Sequence, residues 1–163
     1  MPTAEAAAAR RDRVFLVVVD DSPERAVALR YAGLRARKSG GRVALLRVLE
    51  PVGLVEWAGV GQMMAEERRQ EAEGMLSGLA GEVQEITGGI PILIIREGDP
   101  REELLKLLEE DPRISILVLA SAPGGGGPGP LITALTGRHA SRLRVPMTIV
   151  PGEMSEAELE RVT

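Results

Sequence analysis

The chain reads as an α/β protein, an open five-stranded parallel sheet, doubly wound with helices on both faces. Three observations predict this. Five short runs are apolar without alternation, the pattern of strands buried on both faces. Stretches with apolar residues at three- and four-residue spacing lie between them, as right-handed crossovers require. One run empties into a dense glycine stretch, Gly124 to Gly127 with Gly129, where sheets of this class hold ligands.

The first run spans Val14 to Asp20 and ends in paired aspartates, Asp20 and Asp21. Ser22 supplies a cap and Pro23 a first-turn proline for a helix whose spacing carries to Lys38, Ser39 and Gly40. The second strand, Arg42 to Glu50, is closed by Pro51, and the apolar connection to Gly61, holding Trp57, is long enough for a flap. From Gln62 onward, Ala72, Met75, Leu76, Leu79, Val83 and Ile86 mark a long amphipathic helix that Gly88 and Gly89 end. The third strand, Ile90 to Glu97, leads to the clearest helix start. There Asp99 is the N-cap, Pro100 the first helical residue and Glu102 the partner in a capping box. After Asp111 and Pro112 come the fourth strand (Ile114 to Ala120), the glycine loop, a helix from about Leu131 to Leu143 and the fifth strand (Val145 to Val150). Ser155 and Glu158 cap a short acidic helix in the tail. The expected divisions are a flexible arm over 1–13, one domain over 14–152 and an acidic tail over 153–163.

Composition narrows the chemistry. The 163 residues are 44% hydrophobic, enough for one core without staples. With no cysteine and a single histidine, His139, thiolate and histidine-rich metal sites are excluded. A net charge of −4 and only three aromatics, Phe15, Tyr31 and Trp57, argue against a nucleic-acid surface. No run reaches the ~20 apolar residues of a membrane span, and no secretory signal is evident, so a soluble cytoplasmic protein is expected.

The glycine junction can cradle a phosphate, since glycines admit close backbone approach and a helix start adds roughly half a positive charge. It can equally be an empty loop. Gly124, Gly126 and Gly129 spell G-x-G-x-x-G, but not in a first βα unit, and Pro130 stands where a P-loop needs its lysine. Asp20 and Asp21 read either as a Mg²⁺ pair or a catalytic carboxylate, with Asp20 the one for ligand contact, or as helix-cap and turn formers. His139 has no nucleophile and orienting group beside it in sequence, which leaves a helix-surface position. Met63, Met64 and Met75 read as packing residues or a partner groove. The tail acids Glu153, Glu156, Glu158 and Glu160 read as a solvated face or a docking site for a protein partner.

Four blocks, VVVDDSPERAVALRYAGLRARKSGGRVALLRVLEP, IREGDPREELLKLLEE, ILVLAS and VPMTIVPG, in this order and spacing resemble the universal stress proteins over Val14 to Gly152. The resemblance implies strand order 3-2-1-4-5, homodimers paired through the fifth strand and, in one branch, ATP binding with Mg²⁺. In that branch the aspartate ending the first strand and the end of the second strand line the nucleotide pocket, roles that fall to Val19 with Asp20 and to Val48. The family's G-x2-G-x9-G motif, followed by Ser or Thr, aligns in two ways. Set by the strands, it places Leu119 and Ala120, then Pro123, then Thr133 with Ala134; set by the glycines, it places Gly124, Gly127 and Gly137 with Arg138. The two differ by four residues, about one helical turn. The strand register better suits the backbone, with Ser121, Thr133 and Thr136 as hydroxyls and Arg138 as a cation for phosphate. The implied function is a homodimeric stress-response regulator that binds ATP with little or no hydrolysis; the alternatives are a nucleotide-free interaction module of the same fold and a hydrolase.

Overall fold

Five apolar runs become five parallel strands in the order β3-β2-β1-β4-β5. The computed structural model describes residues 1, 3–6, 13–51 and 58–163. The elements are β1 (Val14–Val18), α1 (Arg25–Ser39), β2 (Arg42–Leu49), α2 (Ala58–Thr87), β3 (Ile92–Glu97), α3 (Pro100–Glu110), β4 (Ile114–Ser121), α4 (Pro130–Thr136), β5 (Met147–Pro151) and α5 (Glu156–Val162), with a 3₁₀ turn at Ala140–Arg142 before β5. Trp57 and most of the expected N-terminal arm lie outside the described residues.

Strand alternation divides the core. Along β1 and just past its end, Phe15, Val17 and Val19 face one layer, built with Ala28, Leu29, Ala32, Leu76, Val83 and Leu159 from α1, α2 and α5. Val14, Leu16 and the part-buried Val18 face the other, with Leu104, Leu105 and Leu108 of α3 and Ile132 and Leu135 of α4. Both faces of β1 are therefore covered, which is why its sequence shows no polar alternation. The run of small and large apolar residues on α2 buries Ala72, Leu76 and Val83 as its spacing requires. Met63 and Met64 instead stand exposed, while Met75 alone of the three packs against the core.

Three local expectations are corrected. α1 takes Glu24 as its N-cap residue, not Ser22, because Ser22 is held in a turn by Asp20. At α3, Asp99 does accept from the N–H groups of Arg101 and Glu102, but Glu102 does not close the box. Its carboxylate instead receives two hydrogen bonds from Arg142, at 2.8 and 3.1 Å. The helix after the glycine loop stops at Thr136 rather than near Leu143, where Gly137 takes φ −112° and ψ −108° and breaks the ladder. In the tail the capping box between Ser155 and Glu158 is complete.

The acidic tail docks on its own chain. Leu159 is buried against α1, and Glu156 and Glu160 stand 3.6–3.9 Å from Arg30 and Arg37. Exposed pairs of this kind contribute little, so the buried leucine is the anchor. Just before the tail, Gly152 fills a tight junction: a Cβ there would sit 2.2 Å from the Ser121 carbonyl oxygen and 3.0 Å from Glu24 Cβ.

Acid should weaken this fold. Arg142 holds the Glu102 carboxyl below its ordinary range by hydrogen bonding, as Arg96 does for Glu110, Arg113 for Asp111 and Arg101 for Asp99. A depressed folded-state pKa means that the unfolded chain binds more protons below about pH 4.5. The stability from these pairs is thus complete above that pH and lost as pH falls through the folded values. Urea unfolding at pH 7 and pH 3.5 is expected to give a lower midpoint at the acid pH, with a smaller drop in Glu102→Gln; a midpoint independent of pH would contradict it.

Candidate functional site

At the reversal of strand order, where β1 lies between β2 and β4, the loops after β1 and β4 diverge and leave a crevice. A hollow of about 180 Å³ sits there, walled by Asp20, Glu24, Leu119, Ala120, Gly129 and Ile132 among others. Gly129 and Pro130 are also walls of a second, wider hollow of about 850 Å³, which reaches Asp99, Arg101, Thr133, Arg138 and His139. The two spaces therefore share one rim.

The residues expected at the site divide between these surroundings. Asp20, Leu119 and Ala120 come together at the smaller hollow, and Thr133 stands at the wider one. Val19 is buried on the opposite face, in the layer beneath α1. Val48 lies on the Leu119 side of the sheet, packed against that core without reaching either hollow's wall. Gly124 and Gly127 take φ values of 92° and 91°, conformations that only glycine adopts freely, yet both wall neither hollow. Their role is to turn the chain. Glu24, Arg25 and Ile132 were not anticipated; Glu24 and Arg25 carry a signal in their place at the first turn after β1, whereas Ile132 carries none.

Asp20 works on its own backbone as well. Its Oδ1 accepts from the Ser22 N–H at 2.9 Å and from the Ser22 hydroxyl, and its carbonyl accepts from Arg25 Nη1 at 2.7 Å. Asp21 is turned away: Arg47 Nη2 donates to both of its oxygens at 3.2 and 3.3 Å, and Arg47 Nη1 donates to the Val19 carbonyl. Since Asp21 is committed to a guanidinium, the two aspartates do not form the oxygen-rich pair a Mg²⁺ ion favours. Among the described residues no group of three or more His, Cys, Asp or Glu side chains is placed to hold a metal.

The glycine loop closes on itself. The Ala122 N–H donates to the Pro128 carbonyl at 2.9 Å and the Thr133 N–H to the Gly129 carbonyl at 3.0 Å. The Thr136 hydroxyl is spent on the Ile132 carbonyl at 2.7 Å, leaving Thr133 as the exposed hydroxyl of α4 beside the wider hollow. Arg138 is exposed and makes no ion pair or side-chain hydrogen bond among the described residues.

A five-stranded parallel sheet of this order, with its crevice at the β1/β4 switch, defines the class of doubly wound α/β domains. Within that class the chain belongs to the universal stress protein family, whose model matches residues 13–151. No curated protein sequence matches it. Solved structures similar to it include the universal stress protein UspA from Lactobacillus plantarum, 15% identical, with a TM-score of 0.71 over 86% of this chain and 98% of that one. A universal stress protein in complex with cAMP is 17% identical, with a TM-score of 0.61 over 86% of this chain and 98% of that one. A family member from Arabidopsis thaliana with AMP bound is 16% identical, with a TM-score of 0.57 over 85% of this chain and 91% of that one. No helix among the described residues is long and apolar enough to cross a membrane.

Proposed function

We propose that this chain is a cytoplasmic, homodimeric regulator of the stress response that binds an adenine nucleotide, ATP among the candidates, at the β1/β4 crevice. The convergence of Asp20, Leu119 and Ala120 on one hollow at the strand-order reversal carries the reading. Relatives of the same fold hold cAMP and AMP, which supports the ligand class. Little hydrolysis is expected. Asp20 is already engaged by Ser22, and no lysine walls either hollow to stabilise a transferring phosphoryl group. Melting curves with AMP and with ATP test this: at a hundredfold excess over Kd, binding adds about 2.7 kcal/mol. No shift with either at millimolar concentration would sink the proposal.

The dimer rests on the open edge of β5. No charged residue lies between Val145 and Val150, and Ile149 is 41% exposed. The other edge is guarded differently, with Arg96 of β3 paired to Glu103 and Glu110. An uncharged edge strand with unpaired backbone groups favours pairing with a second copy. Sedimentation at micromolar concentration is expected to give a dimer, and Ile149→Lys a monomer; a monomeric parent chain would contradict the assignment. The second reading, a nucleotide-free interaction module, is favoured by the self-closed loop, in which the Ala122 N–H is already taken by Pro128.

A further inference from the structure

Resting on the reading of the crevice as an adenine-nucleotide site, we infer that it selects a nucleoside monophosphate over a triphosphate, with Glu24 and Arg138 as the specificity-determining side chains. Size gives the first reason. The hollow at Asp20, about 180 Å³, falls below the ~300 Å³ at which pockets for whole drug-sized ligands begin. It holds only part of a nucleotide. The remainder must cross the shared rim of Gly129 and Pro130 into the wider space.

Charge gives the second. The smaller hollow presents the carboxylates of Asp20 and Glu24 against one guanidinium, Arg25, which already donates to the Asp20 carbonyl at 2.7 Å. In the wider hollow Arg101 is tied to Asp99 at 3.2 Å, and Glu102 to Arg142 at 2.8 Å. Arg138 remains as the one guanidinium on this path that makes neither an ion pair nor a hydrogen bond among the described residues. One uncommitted guanidinium matches one phosphate group, by paired N–H···O bonds. Each further phosphate charge brought to about 7 Å from a carboxylate in a water-like medium weakens binding roughly threefold.

Backbone donors carry no formal charge with which to redress this balance. Pro128 and Pro130, on the wall of the smaller hollow, have no N–H to offer, and the Ala122 N–H is taken within the loop. Of the loop glycines, Gly124, Gly125 and Gly127 wall neither hollow, whereas Gly126 and Gly129, whose N–H groups donate to no acceptor among the described residues, both wall the wider one.

Calorimetric titration of the full chain with adenosine, AMP, and ATP with and without Mg²⁺, at fixed ionic strength, tests the inference. AMP is expected to bind tightest and ATP at least tenfold more weakly. Arg138→Ala should bring AMP to the affinity of adenosine, whose own affinity stays unchanged, and Glu24→Gln should raise ATP affinity roughly threefold. Circular dichroism and melting establish that both variants are folded. ATP binding as tightly as AMP to the parent chain would overturn the monophosphate selectivity and leave the nucleotide site standing. Failure of adenosine, AMP and ATP alike would overturn both, and an unchanged AMP affinity in folded Arg138→Ala would overturn the part given to that arginine.

Discussion

Asp20→Ala is expected to abolish the nucleotide-dependent rise in stability, the whole of the ~2.7 kcal/mol available at a hundredfold excess of ligand over Kd. The same substitution removes the acceptor that holds Ser22, so the ligand-free protein should also lose about 0.5–1.5 kcal/mol. Asp20→Asn separates the two effects. Its amide oxygen can still accept from the Ser22 N–H and keep the turn, while the charge at the crevice is gone. Urea midpoints of the three proteins, each with and without AMP, distinguish a turn residue from a ligand-binding one. If Asp20→Ala responds to AMP as the parent does, Asp20 belongs to the turn alone.

The second large effect belongs to the central strand. Phe15 is fully buried, its ring reaching towards the turn at Gly41, where a Cβ would meet Phe15 Cε2 at 3.3 Å. Phe15→Ala should cost about 3–5 kcal/mol, part lost transfer energy and part the cavity left in a layer closed by α1 and α2. For a chain of this length the melting temperature would fall by on the order of 10 °C. Ile90, 70% exposed, gives the comparison: Ile90→Ala should stay within about 0.5 kcal/mol of the parent. A loss below 1 kcal/mol at Phe15 would mean that the layer collapses around the vacancy.

What was legible in the sequence was what local physics decides. Apolar runs long enough to be buried on both faces gave the strands, and the three- and four-residue spacing of Ala72, Leu76 and Val83 gave the buried stripe of α2. The caps at Asp99 and Ser155 involve partners within three residues, so they too could be read. The Glu102–Arg142 link spans 40 residues, and no local pattern announces it. By capturing Glu102 it dissolves the capping box that spacing predicts. At the site, the aspartate and the end of β4 were legible because a strand end fixes where its last residues emerge. Val19 was placed at the ligand although strand alternation puts it on the opposite face from Val18, a signal that was available. The glycine loop is hard to read for a different reason. Glycine frees the backbone without fixing where its N–H groups point, and here the loop uses that freedom to fold back on Ala122.

Gly152 has a mechanical consequence. It joins the end of the edge strand β5 to the carbonyl of Ser121 at the end of β4 and to Glu24 at the head of α1, with no room for even a methyl group between them. Glu24 is also a wall of the crevice. Sideways load applied to the β5 edge has no slack to take up at this point, and close-packed contacts transmit displacement rather than absorb it. The junction is a fulcrum: whatever lies along the outer edge of the sheet leans, through one glycine, on the mouth of the crevice.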